Sequence, residues 1–196
     1  MNDDPTRKTE SERRERRRLT HVSRGGRPRM VDVSAKPPTA RRATAEAFVT
    51  LEQETISAII DGQMTKGDVL TVAEMAGVMA AKRTWELIPL CHPIPLTDIV
   101  VEITPDRGAG GVRIRASAAT VAGTGVEMEA MTAASIAALT VYDMVKGVDR
   151  SATVSDLRLL EKSGGKSGEW RRAEERPPRQ GARVSPGTRG PKRGQR

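Results

Sequence analysis

Aromatic side chains are nearly absent from this chain: Phe48, Trp85, Tyr142 and Trp170 are the whole set. Its core must therefore be built from Ala, Val, Ile, Leu and Met. There is one cysteine, Cys91, which excludes an internal disulfide and fits a reducing compartment, so a cytoplasmic protein is expected. Histidines number two, His21 and His92. A zinc site needs three or four His, Cys or carboxylate ligands, so a soft-ligand metal centre is not expected. No run of 18 apolar residues exists and the N-terminus lacks an apolar h-region, so neither a membrane span nor a secretory signal is read.

What is abundant is positive charge, and it is segregated. The net charge is +8, but residues 1–29 hold ten Lys/Arg against five Asp/Glu, and residues 170–196 hold nine against two. The middle, 30–169, holds fourteen against eighteen and is acidic. The ends, "ESERRERRR" and "RPPRQGARVSPGTRGPKRGQR", cannot bury enough apolar surface to offset the entropy of ordering. We expect basic tails over 1–18 and 170–196 around one domain over 19–169. Any nucleic-acid contact would be weak, salt-sensitive and confined to the tails. A basic-tailed oligomeric module for RNA or nucleotides is the alternative to an enzyme.

Periodicity orders the middle. "AEAFVTL" (45–51) alternates as a half-buried strand. Thr50 and Gln53 stand at capping-box spacing ahead of a short helix that stops at Asp61–Gly62. A second helix follows "TKGD", with Val69, Val72, Ala73, Ala76, Met79 and Ala80 expected on one face, and ends before Pro89. "DIVVEIT" (98–104) and "VRIRASA" (112–118) flank the turn "PDRGAGG" and form a hairpin. Thr124 and Glu127 repeat the capping-box spacing before a long alanine-rich helix, and "TVSDLRLL" (153–160) is a last strand. The expected class is α+β, a ferredoxin-like βαββαβ with an extra helix. One four-stranded antiparallel sheet carries helices on one face, leaving the other for a partner subunit to cover.

Of the six lysines in the middle, four lie beside glycine or in a glycine-rich loop: Lys66, Lys146, Lys162 and Lys166. Bare backbone N–H groups there can join an ammonium in holding an anion. "GKS" at 165–167 is not a Walker A loop, because Leu160 occupies the position of its first glycine. Asp143 and Lys146, at i and i+3, are either a solvated ion pair or an acid–base pair, and spacing alone does not choose. Glu127 and Glu129 complement the dipole of the long helix. Glu129 and Asp143 are 14 residues, roughly 21 Å, apart along it. In "IPLCHP" (88–93) an adjacent histidine need not face the thiol. Cys91 therefore reads as a small packed hydrophobe, and the prolines stiffen a segment that aims His92.

"MVDVSAK", "KGDV", "AAKRTWELIPLCHP", "GVEMEAMTAAS", "LTVYDM" and "RLLEKSGGKSG" resemble the cyclic pyranopterin monophosphate synthase family, over about Leu19 to Gly168. The resemblance implies a ferredoxin-like protein assembled as a trimer of dimers. It also implies the conversion of a 3′,8-cyclised dihydro-GTP into cyclic pyranopterin monophosphate with release of diphosphate, a step of molybdenum cofactor biosynthesis. It assigns catalysis to Lys66, Asp143 and Lys146. It places Leu90, Cys91, His92, Glu127, Met128 and Glu129 around the substrate, and Lys36, Arg41, Lys162 and Lys166 near the triphosphate. No required cofactor is expected, with Mg2+ an optional companion of the triphosphate or diphosphate. Lys66 is expected to be buried or close to other cations, and the pocket to be shared between subunits.

Overall fold

The computed structural model describes residues 26–173 of the 196-residue chain. The N-terminal tail and nearly all of the C-terminal one, with His21, lie outside them.

Five strands and four helices follow in the order β1 (Thr39–Thr50), α1 (Gln53–Ile60), α2 (Val69–Lys82), α3 (Thr84–Leu87), β2 (Leu96–Asp106), β3 (Gly111–Ala122), α4 (Glu127–Val145), β4 (Thr153–Ser163) and β5 (Trp170–Arg171). The sheet runs β2-β3-β1-β4-β5, and every pairing is antiparallel. This is the expected α+β class with its helices on one face, but the sheet has five strands rather than four. The fifth is two residues long, lies just past the expected domain end at 169, and pairs with Glu161 and Lys162. β1 starts six residues earlier than its alternation shows, because "TARRA" pairs with the end of β3 although it lacks an apolar rhythm.

The core face alternates as strands require: Ala43, Ala45, Ala47 and Val49 of β1 and Val112, Ile114, Ala116 and Ala118 of β3 are all buried. Against them lies α4, whose Ala130, Ala133, Ala134, Ala137 and Ala138 are fully buried. Alanine lets helix and sheet approach closely, and α2 approaches α4 in the same way. At Gly77 an added methyl would press on the Ala133 carbonyl at 3.0 Å and on Val101 at 3.1 Å. The buried stripe of α2 therefore runs through Val69, Ala73, Gly77, Ala80 and Ala81. Val72 and Met79, expected on it, face outward with Met75, at 44%, 52% and 62% exposure. The small residues, not the large ones, mark the packed side.

Neither expected capping box forms. The N-caps of α1 and α4 are Glu52 and Val126, without a side-chain cap of their own. The Glu52 N–H is instead bonded at 2.8 Å by Asp149, a fully buried carboxylate from the loop after α4. The outer sheet face is polar rather than bare: Glu46, 6% exposed, is held by Arg158 at 2.8 Å and faces Arg113 at 3.9 Å. Arg42 pairs with Asp98 at 2.9 Å.

Candidate active site

At the C-terminal end of α4 three titratable side chains meet. Lys66 comes from the loop between α1 and α2. Gly67 follows in a left-handed turn (φ +93°), and Asp68 then caps α2 by accepting from the Thr71 N–H at 3.1 Å. "KGD" is thus a reach, a turn and a cap. The Lys66 Nζ donates to the Asp143 carbonyl at 2.5 Å and to its Oδ2 at 3.1 Å. Lys146 Nζ takes the other oxygen, Oδ1, at 2.7 Å. The Lys146 hydrogen bond, then that of Lys66, holds the Asp143 carboxyl below the usual range, and Asp143 in turn raises Lys146. All three are about half exposed, so of the burial or neighbouring cation expected for Lys66 the structure has the second, Lys146 on the same carboxylate.

At the N-terminal end of α4 a second group gathers. Lys162 of β4 donates to Glu127 at 2.8 Å. Burial works against the Glu127 charge, but the Lys162 hydrogen bond, its own backbone N–H and Arg41 outweigh it and lower its pKa. Arg41 donates from Nε to the Ala122 carbonyl at 3.0 Å and from Nη2 to the Gly123 carbonyl at 3.3 Å. The stem of Lys36 lies against Gly123. Arg41, Glu127 and Lys162 line one cavity with Gly125, Gly164 and Ser167, and Lys166 stands in the same loop. Glu129 is 4% exposed, and its carboxyl is pushed up by burial and by the charge of Glu127.

The segment 88–93 joins this second group. Ile88 is extended ahead of Pro89 and α3 ends at Leu87, as proline requires. The His92 Nε2 and the Val31 carbonyl are 2.7 Å apart. A carbonyl only accepts, so Nε2 is the donor in this contact. Cys91 is half-buried; burial, then the charge of Glu129, raises its thiol. A nucleophilic cysteine has the opposite setting. Leu90 and Met128 are partly exposed, at 36% and 38%. Among the described residues no three His, Cys, Asp or Glu side chains converge as a metal requires.

The expected site residues therefore fall into two groups, Lys66–Asp143–Lys146 at one end of α4 and the remainder at or near the other. Sequence reasoning missed Asp149, which fastens the start of α1 to the loop following Lys146; no periodicity or motif signals a carboxylate that caps a helix 97 residues away. Fold and site together define a class: a ferredoxin-like α+β protein with a cavity lined by Arg41 and Lys162 and a separate lysine–aspartate–lysine cluster at the other end of α4. The chain belongs to the MoaC family, whose model matches residues 30–165, and that family functions in molybdenum cofactor biosynthesis. It is 53% identical over 153 residues to the cyclic pyranopterin monophosphate synthase of Brucella ovis, covering 78% of this chain and 93% of the relative. It is 53% identical over 157 residues to the protein of the same name from Thermomicrobium roseum, covering 80% and 95%.

Proposed function

We propose that this protein is a cyclic pyranopterin monophosphate synthase. It converts (8S)-3′,8-cyclo-7,8-dihydroguanosine 5′-triphosphate into cyclic pyranopterin monophosphate and releases diphosphate. The observation that carries the reading is the 53% identity to relatives of that name over nearly their whole length. The local chemistry supports it. A triphosphate carries about four negative charges; Arg41 and Lys162 line one cavity, Lys166 belongs to the loop that borders it, and the stem of Lys36 lies against Gly123. Closing the α-phosphate onto the sugar breaks the bond to the β-phosphate, and cations beside the departing diphosphate stabilise its charge. Opening and rearranging the purine-derived ring requires proton transfers. Lys66 and Lys146 hold protons on either side of Asp143 and are suited to that work.

The two groups stand at opposite ends of a 19-residue helix, about 28 Å long. A substrate of nucleotide size does not reach from one end to the other within a single chain. The working site is therefore composite: the lysine–aspartate–lysine group of one subunit closes against the anion cavity of another. The chain works as a homo-oligomer, in the expected arrangement of a trimer of dimers, in the cytoplasm. The exposed apolar row Val72, Met75 and Met79 supports burial against a second copy. Mg2+, where it takes part, accompanies the phosphates. The test is incubation of the purified full chain with the cyclised triphosphate while diphosphate and the cyclic product are measured. Equal release of both is expected, and lost on Asp143→Asn. Absence of either product from the wild-type chain overturns the proposal.

A further inference from the structure

The loop after β4 contains three left-handed glycines, Gly164 (φ +91°), Gly165 (φ +70°) and Gly168 (φ +65°). Their surroundings differ. At Gly168 an added methyl meets nothing within 4 Å; at Gly164 it would collide with the Ala40 carbonyl oxygen. At Gly165 the three nearest atoms all belong to one guanidinium: Nη1, Cζ and Nη2 of Arg41. That guanidinium is tied on its other sides, by Nε to the Ala122 carbonyl and by Nη2 to the Gly123 carbonyl. It lies in a slot whose floor is the end of β3 and whose wall is the bare backbone of Gly165. Lys162, two residues before the loop, borders the same cavity. Any side chain at 165 would collide with the guanidinium and displace it from the slot.

We infer that Gly165 is a positioning residue for phosphate recognition: the side chain it lacks is what allows the Arg41 guanidinium, anchored through Nε and Nη2 on the Ala122 and Gly123 carbonyls, to line one cavity with Lys162 and offer its Nη1 edge to an oligophosphate. This rests on the proposed role of Arg41 in anion binding. It assigns Gly165 and Gly168 of one loop to different tasks, the second needed only for its backbone turn. Arg41→Lys does not substitute for the arrangement, because a single ammonium nitrogen cannot hold both carbonyls as Nε and Nη2 do while leaving another nitrogen for the anion, and it has no flat face to pack on glycine.

The experiment compares wild type, Gly165→Ala, Gly168→Ala, Arg41→Ala and the double variant Arg41→Ala/Gly165→Ala as full chains. Binding of inorganic triphosphate is measured by calorimetry, and KM and kcat are measured with the cyclised nucleotide. Both alanine-for-glycine changes carry the same left-handed backbone strain, so Gly168→Ala is the control for strain. We expect Gly165→Ala to weaken triphosphate about tenfold or more, as loss of a charge-assisted contact does, with KM raised more than kcat is lowered. Gly168→Ala stays within about threefold, and the double variant binds no worse than Arg41→Ala. If Gly165→Ala alone fails to fold while the double variant folds, the collision with Arg41 is the cause and the inference stands. It is overturned if both fail to fold, if Gly168→Ala loses as much as Gly165→Ala, if Gly165→Ala binds like wild type, or if the double variant falls well below Arg41→Ala. Unchanged binding in Arg41→Ala removes both this inference and Arg41 from the anion site, and leaves the proposed reaction to be judged on Lys66 and Asp143.

Discussion

Replacing Asp149 by alanine removes a fully buried carboxylate that accepts hydrogen bonds from the Glu52 N–H at 2.8 Å, the Ser151 N–H at 3.0 Å and the Ser151 hydroxyl at 2.8 Å, with the Thr55 side chain as a further partner. The hydroxyl can turn to Glu52 Oε1, already 3.3 Å away, so two backbone donors are left without an acceptor. Each orphaned donor costs about 1–1.5 kcal/mol at a part-buried position, and loss of an anion at the start of α1 adds about 0.5 kcal/mol. The expected loss is about 2.5–3.5 kcal/mol, or about 5–14 °C in Tm for a domain of this size. Asp149→Asn retains one acceptor oxygen and should lose about half as much. Burial works against the Asp149 charge, but the bonds from the Glu52 N–H and from Ser151 outweigh it and put the folded carboxyl below its ordinary 3.8. A carboxyl lowered in the folded state contributes its full stability above the unfolded value and loses it as pH falls through the folded one. The gap between wild type and Asp149→Asn should therefore be constant from about pH 8 to 5 and shrink below about pH 4. Urea unfolding followed by circular dichroism at several pH values, at one protein concentration, measures it. A loss below about 0.5 kcal/mol for the alanine variant, or a gap that widens as pH falls, refutes the reasoning.

Lys66→Ala and Asp143→Asn should each abolish diphosphate release while Tm stays within about 2 °C, because their ion pair is half exposed; a melting point that falls in step with activity would make them structural. Cys91→Ser should be tolerated and Cys91 should react with iodoacetamide more slowly than free cysteine at neutral pH, since its thiol is raised; fast alkylation that tracks inactivation would restore a nucleophilic role. His92→Ala should raise KM for the cyclised nucleotide, and an unchanged KM would leave His92 as a tie to Val31 only. A chain cut to residues 19–169 should keep its fold and most turnover, because β5 pairs with only two residues; loss of soluble oligomer would move the domain end past Arg171.

The strand pairs and the long helix were legible because their apolar positions recur with the period of the element: Val112, Ile114 and Ala116 face inward as the alternation requires. Where glycine or alanine does the packing, hydrophobicity misleads. Gly77 sits in the tightest helix contact, while Met75 and Met79 face outward. The start of β1 and the whole of β5 had no pattern to read, since pairing with β3 and β4 determines them. Capping-box spacing failed at Thr50 and Thr124 because the caps depend on where the chain turns, and at α1 a distant Asp149 does the work. The glycine-flanked lysines stand at both ends of α4, Lys66 and Lys146 at one and Lys162 at the other. Spacing along one chain also carried the separation of Glu129 from Asp143, and the structure retains it, with the two groups at opposite ends of the helix.

That separation makes subunit mixing the most direct test of the composite synthase site. Lys66→Ala, with a tag, and Lys162→Ala are unfolded together, refolded together, and assayed for diphosphate release from the cyclised triphosphate, with mixed oligomers isolated through the tag. If Lys66 of one chain works with Lys162 of another, one of the two sites in each mixed dimer is intact, and a random equimolar mixture recovers about a quarter of wild-type turnover. Verified mixed oligomers that remain as inactive as either parent would contradict the account.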